Sequence, residues 1–475
     1  MIFNSFTFLI FFVIVFIAYW AMQYRIKMQN TLILLSSYVF YGWWDYRFLG
    51  LIIFSTLVDF YVAKKIDSEP NKREKKQWLV LSLVSNLGML VLFKYFNFFS
   101  NSWAEAWGLL GLEMSQLTLN VILPVGISFY TFQTLSYTID VYRGNLKSTN
   151  NIINFGAYVA FFPQLVAGPI ERATHLLSQF KNRREFNYEK AVSGLQLFIW
   201  GLFKKVVIAD SCAVYCDAIF ENYEQLNSAT LILASIYFAF QIYGDFSGYS
   251  DMAIGLARLL GFDLKTNFKY PYFSRDIAEF WRKWHISLST WFRDYLYIPL
   301  GGSKGTIKNQ IRNVFIIFIV SGFWHGANWT YVIWGALNAC YFLPLLLLKR
   351  NRKNLDDITV SNSFTFIKQL VSIALTFGLT CFAWVFFRAP NISIAINYIN
   401  KIGDLNFGIE YLSIERYSVE LMLLISIFVL VEWFSRFKEQ PISGKYAMLK
   451  LTLVLMGIVV LGSYSNPKDF IYFQF

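Results

Sequence analysis

Long apolar segments alternate with short polar ones along almost the whole chain. The first reads MIFNSFTFLIFFVIVFIAYW and has neither a basic leader nor a small-residue cleavage site, so it predicts a membrane span rather than a removed signal peptide. Several later segments are shorter than the roughly 20 residues that a span needs, which indicates re-entrant segments among the spans. The pattern predicts about eleven membrane-penetrating segments in one integral membrane domain, residues 1–475. The later segments lie near residues 31–44, 48–63, 78–99, 120–142, 152–170, 191–209, 228–244, 313–348, 364–387, 417–434 and 447–464.

The composition agrees with this pattern. Hydrophobic residues make up 56% of the chain and charged residues 15%, against about 25% charged in a soluble domain. Because so few polar residues cannot cover a core of this size, the composition argues against a soluble enzyme, a disordered chain and a nucleic-acid-binding protein. The apolar surplus needs a second apolar solvent, so membrane lipid is a predicted partner.

The position of the basic residues explains the net charge of +12, from 42 Lys and Arg against 30 Asp and Glu. Basic residues collect in the cytoplasmic loops of membrane proteins. The loop at 389–416 is close to neutral and is predicted to lie outside. The alternation is consistent when the N-terminus and the C-terminus are both outside. Most of the basic excess falls in residues 64–76, 181–190, 265–312, 349–353 and 436–450.

The segment DIAEFWRKWHISLSTWFRDYLY, residues 276–297, has the pattern of an amphipathic helix. On a helical wheel its Trp-rich positions share one face and its charged positions, Glu279 among them, share the other. We therefore expect this helix, inside the mixed region 263–312, to lie in the interface or to pack against the bundle from the cytoplasmic side. His285 falls at the border of the apolar face. It could point inward, or it could be incidental to a membrane-surface anchor.

His325 is the second histidine that the pattern singles out. It lies thirteen residues after Arg312, which on a helix is about 20 Å along the axis and deep in the hydrocarbon region. A titratable group at that depth indicates a functional site. A histidine satisfied by a helix–helix hydrogen bond is the structural alternative. The third histidine, His175, stands beside a basic run and is expected to be solvated or interfacial.

A polar cluster occurs in YGDFSGYSDMAIG, residues 243–255. Asp245 and Asp251 lie beside Ser247 and Ser250. The two carboxylates could serve a transporter as coupling groups, or they could have a structural role in packing or in capping a helix that starts there. Cys212 and Cys216 are predicted to be packing residues. The chain has no Walker, GxGxxG, HExxH or GxSxG motif and no zinc-type spacing, so no metal site and no bound cofactor are predicted.

Six sequence motifs occur in one order along the chain: LPVGISFYTFQTLSYTIDVYRG, FFPQLVAGPIER, QIYGDFSGYSDMAIGLARLLGF, WRKWHISLSTWFRDYLYIPLGGSKG, VSGFWHGANWTYVIWGALNA and FIYFQF. They resemble those of the membrane-bound O-acyltransferase family, and of its bacterial branch in particular. The resemblance covers nearly the whole chain and implies an all-α polytopic protein: a ring of about eleven transmembrane or re-entrant helices around a tunnel, with cytoplasmic amphipathic helices. It also implies a multi-pass protein of the bacterial cytoplasmic membrane.

The resemblance also implies a function. His325, in WHGA, matches the catalytic histidine of the family, and His285, in WHISL, matches the second family histidine, where many eukaryotic relatives carry Asn. The implied donor is acetyl-CoA from the cytoplasm, and the implied acceptor is a polysaccharide such as alginate, peptidoglycan or cellulose. A separate periplasmic SGNH-type acetyltransferase is the expected partner, because this chain has no such motif. D-alanyl transfer to teichoic acid and a transporter or flippase are the alternatives. The expected supporting or tunnel residues are Trp324, Asn328, Arg293, Asp294, Tyr295, Asp245 and Ser247.

Overall fold

A computed structural model describes residues 1–115, 117–119, 122–166, 168–356, 363–407, 416–464 and 470–471. Throughout these ranges the regular structure is helical and there is no strand, so the predicted all-α fold is confirmed. The ring, the tunnel and the number of membrane segments stay predictions. The helices are α1 (Phe6–Ala21), α2 (Ile26–Gly42), α3 (Leu49–Ser68), α4 (Lys72–Leu90), α5 (Phe96–Gly108), α6 (Ile127–Tyr142), α7 (Ile152–Val159), α8 (Phe162–Leu165), α9 (Leu176–Gln179), α10 (Tyr188–Phe203), α11 (Asp210–Glu221), α12 (Ser228–Leu259), α13 (Ile277–Lys283), α14 (Ile286–Phe292), α15 (Ile307–His325), α16 (Trp329–Leu347), α17 (Ser363–Arg388), α18 (Ile392–Gly403), α19 (Arg416–Ser435) and α20 (Ala447–Leu461).

Short π-helical and 3₁₀ segments extend several of these helices. The π-helical turns are Val91–Tyr95, Lys204–Ala209 and Arg293–Tyr297, and the 3₁₀ turns are Tyr46–Phe48, Tyr223–Gln225 and Pro271–Phe273. In the described ranges five helical stretches are long and apolar enough to cross a membrane. They are Tyr46–Ser68, Lys72–Gly108, Ser228–Leu259, Trp329–Leu347 and Ser363–Arg388.

The chain folds as two compact units. The first comprises Met1–Leu195 and Ala253–Lys265, and the second comprises Gln196–Met252 and Thr266–Phe475. Both histidines matched to the family belong to the second unit. The division does not test the prediction of one integral membrane domain.

A buried carboxylate joins three helices of the first unit. Asp59 on α3 accepts hydrogen bonds from Ser82 (2.5 Å) and Asn86 (2.8 Å) of α4, and from Thr138 (3.0 Å) of α6. Because apolar surface gives helices in lipid little reason to associate, such interhelical hydrogen bonds help to hold them together. This network therefore fixes the packing of α3, α4 and α6.

Glycines let α15 and α16 of the second unit approach backbone to backbone. A Cβ on Gly322 would lie 2.2 Å from the carbonyl oxygen of Tyr331, and one on Gly335 would lie 2.4 Å from that of Phe318. Small residues allow this close approach between membrane helices. The two helices form a tight hairpin, and the residues that connect them, Gly326–Asn328, follow His325 directly.

Candidate active site

His325 is the last residue of α15. The apolar run 313–348 changes helix directly after this histidine: Gly326 is extended, and Asn328 caps α16 by accepting a 3.0 Å hydrogen bond from the Thr330 amide. Residues 312–325 are helical throughout, so the predicted separation of His325 from Arg312 along one helix is confirmed. The end of a helix beside a tight connection holds the imidazole at a fixed point.

Aromatic rings surround the His325 imidazole. Their centroids lie 5.1 Å (Trp324), 5.2 Å (Trp334) and 5.4 Å (Phe387) from that of the imidazole. The histidine is 4% exposed. The rings come from α15, α16 and α17, so a titratable group sits in an apolar enclosure, where electrostatic interactions are stronger than in water.

His285 lies at a break between two helices, so the prediction of one amphipathic helix over 276–297 is wrong. α13 ends at Lys283, α14 begins at Ile286, and a π-helical turn follows from Arg293. His285 has φ 43° and ψ 55°, the left-handed conformation that side chains other than glycine rarely adopt. Such strain costs about 1–3 kcal/mol and is concentrated at functional sites. The predicted packing of the Trp-rich face against the bundle is confirmed, because Trp284 contacts Trp384 with ring centroids 5.3 Å apart.

Asn267, which the sequence pattern did not single out, stabilises this break. Its backbone oxygen accepts a 2.8 Å hydrogen bond from the Ile286 amide, and its side-chain oxygen accepts from the amide (3.1 Å) and the hydroxyl (2.8 Å) of Ser287. The backbone also pairs at Lys269, whose amide donates to the oxygen of Lys283 at 3.0 Å. Asn267 therefore replaces the hydrogen bonds that a continuous helix would have made.

Trp324 stands between the two histidines. Its ring centroid lies 6.4 Å from the His285 imidazole and 5.1 Å from that of His325, so the two imidazoles are at most 11.5 Å apart, the sum of those distances. His285 is 2% exposed, and burial lowers its pKa to about 3, so it is neutral near pH 7. The structure therefore brings the two histidines close to each other, which their spacing in the sequence could not show, and the Trp324 ring contacts both.

The charged side of the segment differs from the prediction at Glu279. This residue was placed on the outward face, yet it is 2% exposed and accepts hydrogen bonds from Arg275 (2.9 and 3.0 Å) and Lys283 (2.8 Å). Burial alone would raise the pKa of Glu279, but these two cations hold it below its ordinary value. Arg282 donates to the backbone oxygens of Asn351 and Asn354 at 2.9 and 2.8 Å. Lys283 and Arg282 thus have partners within the protein.

The predicted supporting residues Arg293, Asp294 and Tyr295 lie on the π-helical turn after α14. The Arg293 guanidinium donates to the Asp294 carboxylate at 2.8 Å, and both side chains are partly exposed. The Tyr295 ring packs on Trp291 with centroids 5.0 Å apart. Of these three residues, only Arg293 lines the cavity described below.

The polar cluster at 243–255 lies inside α12 and does not cap it, so the capping alternative is wrong. Asp245 forms an ion pair with Lys205 at 2.8 Å and accepts a hydrogen bond from the Ile471 amide at 2.6 Å, and Asp251 forms an ion pair with Lys204 at 2.6 Å. Both lysines are buried in the π-helical turn Lys204–Ala209. The Ser247 hydroxyl donates to the backbone oxygen of Tyr243 at 2.6 Å.

The remaining candidates have structural contacts. The Asn328 amide donates to the backbone oxygen of Pro390 at 2.8 Å. His175 is half-buried and lies 2.7 Å from a carboxylate oxygen of Glu171, which confirms that it is partly solvated. Cys212 and Cys216 are buried, as predicted for packing residues. Within the described ranges no group of three or more His, Cys, Asp or Glu is placed to hold a metal ion.

A cavity of about 660 Å³ lies in the second unit, and its lining includes Ile286, which follows His285 in the chain. One wall is a single face of α15, from Val314 to Ser321, and Ser321 precedes His325 by one helical turn. The exposed part of its lining is cationic, with Arg282, Arg293 and Arg352, and is named here the basic mouth. Ser321, at the far end of the α15 wall, is buried. The histidines themselves do not line the cavity, and the lining comes within one helical turn of His325 at Ser321.

The all-helical fold and its long apolar helices define a polytopic membrane protein, and two of its histidines are buried close to each other. Residues 83–386 match the profile of the membrane-bound O-acyltransferase family, and the chain belongs to this family. It is 41% identical over 396 residues to a probable alginate O-acetylase of Pseudomonas syringae pv. tomato, which covers 83% of this chain and 74% of that protein.

Two further relatives extend this comparison. A probable alginate O-acetylase of Azotobacter vinelandii is 38% identical over 449 residues, 94% of this chain and 87% of that protein. A peptidoglycan O-acetyltransferase of Helicobacter pylori is 35% identical over 416 residues, 82% of this chain and 76% of that protein. The chain is therefore a multi-pass membrane O-acetyltransferase, and the named substrates belong to those relatives.

Proposed function

We propose that this chain moves an acetyl group from cytoplasmic acetyl-CoA across the membrane for the O-acetylation of a cell-envelope or extracellular polysaccharide, and that its own acceptor is a hydroxyl group presented on the far side. The observation that carries the proposal is the enclosure of His325 at the end of α15. Trp324 separates its imidazole from that of His285, and Ser321, one helical turn before His325, lines a cavity with a basic mouth. The names of the relatives support the O-acetylation of a polysaccharide.

In the proposed reaction His325 is the general base. A ring nitrogen takes the proton of the acceptor hydroxyl while the oxygen attacks the carbonyl carbon of the thioester. The carbon–sulfur bond breaks, and the thiolate leaves with the proton that the imidazolium returns. The products are an acetyl ester and free CoA, so no other reactant is needed. Histidine suits this role because its ordinary pKa lies near neutral pH.

His285 is the proposed positioning and hydrogen-bonding partner. Because its pKa is held near 3, it stays neutral during turnover and cannot act as a second cation. A neutral imidazole can still donate one hydrogen bond, which suits the carbonyl oxygen of the donor. The contact of both histidines with Trp324 keeps their spacing fixed.

The acceptor side of the proposal includes a second protein. We expect a periplasmic SGNH-type acetyltransferase to receive the acetyl group and pass it to the polymer. Alginate, peptidoglycan and cellulose are the polymers that we propose to test. Acetylation of a supplied oligosaccharide by the purified chain alone would show direct transfer, whereas acetylation only with the partner present would show the relay.

The test uses purified protein and acetyl-CoA labelled in the acetyl group. We expect His325→Ala to lower the rate of CoA release by about 10²–10⁴-fold, the usual contribution of a general base. His175→Gln is the matched control, because it removes the one other histidine of the chain besides His285 and keeps a donor for Glu171. Equal rates for His325→Ala and His175→Gln would contradict the catalytic assignment.

The same assay separates the alternatives. Release of product from a D-alanyl carrier protein, with none from acetyl-CoA, would favour D-alanyl transfer. Loss of polymer acetylation in Asp245→Asn but not in His325→Ala would favour transport. The pairing of Asp245 with both Lys205 and the Ile471 amide supports a structural role instead.

A further inference from the structure

Residues 351–355, here named the strap, form part of the wall of the cavity at its basic mouth. Asn351, Arg352 and Leu355 line the cavity directly. The strap is fastened to α13 through its backbone: Arg282 donates to the oxygens of Asn351 (2.9 Å) and Asn354 (2.8 Å). One planar guanidinium therefore spans two carbonyls and sets the distance between the strap and the helix.

Two further hydrogen bonds hold the strap and its C-terminal neighbour. The Asn354 amide donates to the Asp276 carboxylate at 2.6 Å, and the Arg275 guanidinium donates to the backbone oxygen of Asp356 at 2.6 Å. Arg275 is itself fixed, because it makes a two-pronged pair with buried Glu279. The hydrogen bonds therefore connect the strap, through Arg275, to the buried carboxylate of Glu279 on α13, and they hold the strap in a defined position.

The arginines at the mouth differ in what they can offer a ligand. Arg282 holds the strap and Arg293 pairs with Asp294 at 2.8 Å. Arg352 is exposed and reaches the cavity from the strap itself. Its guanidinium is therefore available to a ligand that occupies the mouth.

The inner part of the cavity has a different chemistry. The face of α15 contributes Ile317, Phe318 and Ser321, and α14 adds the hydroxyls of Ser289 and Thr290. This lining suits an elongated ligand with an apolar and amide-containing arm and an anionic outer end. Since Ser321 precedes His325 by four residues, the tip of such an arm would arrive about one turn, roughly 6 Å along the axis, from the catalytic base.

We propose that the strap is the donor-specificity element of this enzyme: Arg352 binds the phosphate of a phosphate-bearing pantetheine thioester, and Arg282 positions the strap for this contact. This inference rests on the proposed function, since it assigns the donor of that reaction. A phosphate of free CoA and the phosphate of a carrier-bound phosphopantetheine offer the same chemistry. Arg–phosphate hydrogen bonds are charge-assisted, which makes them among the stronger ones.

The kinetic test compares acetyl-CoA, acetyl-phosphopantetheine and acetyl-pantetheine, the last of which has no phosphate. We expect Arg352→Ala to raise the KM for acetyl-CoA about tenfold with kcat unchanged, and to leave the KM for acetyl-pantetheine unchanged. Lys353→Ala is the control, because it removes the same charge from the neighbouring strap position that does not line the cavity. Equal KM values for the two variants, or equal increases with all donors, would overturn the proposal.

The pattern among donors identifies which phosphate is bound. A tenfold increase for acetyl-phosphopantetheine as well supports contact with the pantetheine phosphate, whereas an increase for acetyl-CoA alone supports contact with the nucleotide phosphates. Arg282→Lys keeps the charge but loses the two-carbonyl attachment, so its KM for acetyl-CoA should also rise. A wild-type KM in Arg282→Lys would contradict the positioning role.

A binding test without turnover separates this inference from the proposed function. Trypsin cuts after lysine and arginine, and Arg352 and Lys353 put two such sites in the strap. We expect CoA alone to slow cleavage there severalfold in the wild type but not in Arg352→Ala. If CoA protects the strap but the wild-type protein does not turn over acetyl-CoA, the phosphate site at Arg352 is supported and the proposed acetyl transfer is rejected. Turnover without any protection would reject the strap as the site.

Discussion

At the scale of single residues, the site is defined by side chains held in unfavourable environments. His285 combines a left-handed backbone with nearly complete burial, and His325 lies among aromatic rings. Neither feature improves stability, because strain and the desolvation of a titratable group both cost free energy. Their joint occurrence beside Trp324 is therefore an argument for function.

The burial of His285 predicts an acid-sensitive stability. Its folded pKa of about 3 lies below the ordinary 6.5, so the unfolded chain binds more protons than the folded one between these values. Stability is therefore full above pH 6.5 and falls as the pH drops toward 3. From pH 8 to pH 5 the loss is about 2 kcal/mol for this one group.

Thermal unfolding in detergent at both pH values measures this loss. His285→Asn should show a smaller fall in Tm between pH 8 and pH 5 than the wild type, because Asn does not titrate. His175→Gln again serves as the control, since His175 is half-buried beside a carboxylate. The same fall in Tm for wild type and His285→Asn would contradict the assigned burial effect.

At the scale of elements, the sequence predicted the helices well and the break at His285 poorly. The Trp-rich face of residues 276–297 was read correctly as a packed face, because burial follows hydrophobicity on either side of the break. The break itself depends on Asn267, eighteen residues upstream, which supplies the replacement hydrogen bonds. A helical wheel contains only local spacing, so a partner that distant cannot appear in it. Glu279 was misplaced for a different reason: the wheel takes a charged residue as exposed, whereas pairing with its i±4 neighbours Arg275 and Lys283 allows this carboxylate to be buried.

The glycine contacts of the α15–α16 hairpin predict a loss of both stability and activity in Gly322→Ala. Its new Cβ would lie 2.2 Å from a backbone oxygen of Tyr331, which cannot move without separating the helices. Overpacking of this kind costs about 1–3 kcal/mol, and it would displace His325 one turn later. We expect a lower Tm and a reduced kcat in the acetyl-CoA assay.

Gly378→Ala on α17 is the matched control for this substitution. A Cβ there meets no atom within 4 Å, and alanine favours a helix interior over glycine by roughly 0.5–1 kcal/mol. This variant should therefore keep full activity with an unchanged or higher Tm. Equal behaviour of the two variants would mean that the close approach of α15 and α16 is not needed.

At the scale of the whole molecule, charge serves two distinct purposes. Part of the net +12 lies in connecting segments, as the sequence predicted, but Lys204 and Lys205 are buried counter-ions for Asp251 and Asp245. A count of basic residues along the chain cannot separate these classes, because both look like a polar interruption of an apolar run. The buried pair therefore carries no information about which side of the membrane its segment faces.

The exposed connections give the last prediction, the orientation of the chain. With the N-terminus and the C-terminus outside, the α3–α4 connection faces the cytoplasm, and the segment after α18 faces outward. Ser68→Cys and Asp404→Cys place a thiol in each, and both positions are exposed. The background is Cys340→Ala, because Cys340 is exposed while Cys212, Cys216 and Cys381 are buried.

Labelling of these thiols by a membrane-impermeant maleimide added to bacterial cells then measures the orientation. We expect Asp404→Cys to be labelled in cells whose inner membrane is intact, and Ser68→Cys only after that membrane is disrupted. The opposite result would invert the chain and place the mouth of the cavity on the outer side, where no CoA is present. An acetyl donor from the cytoplasm could not then reach Arg352, so the orientation and the donor assignment stand or fall together.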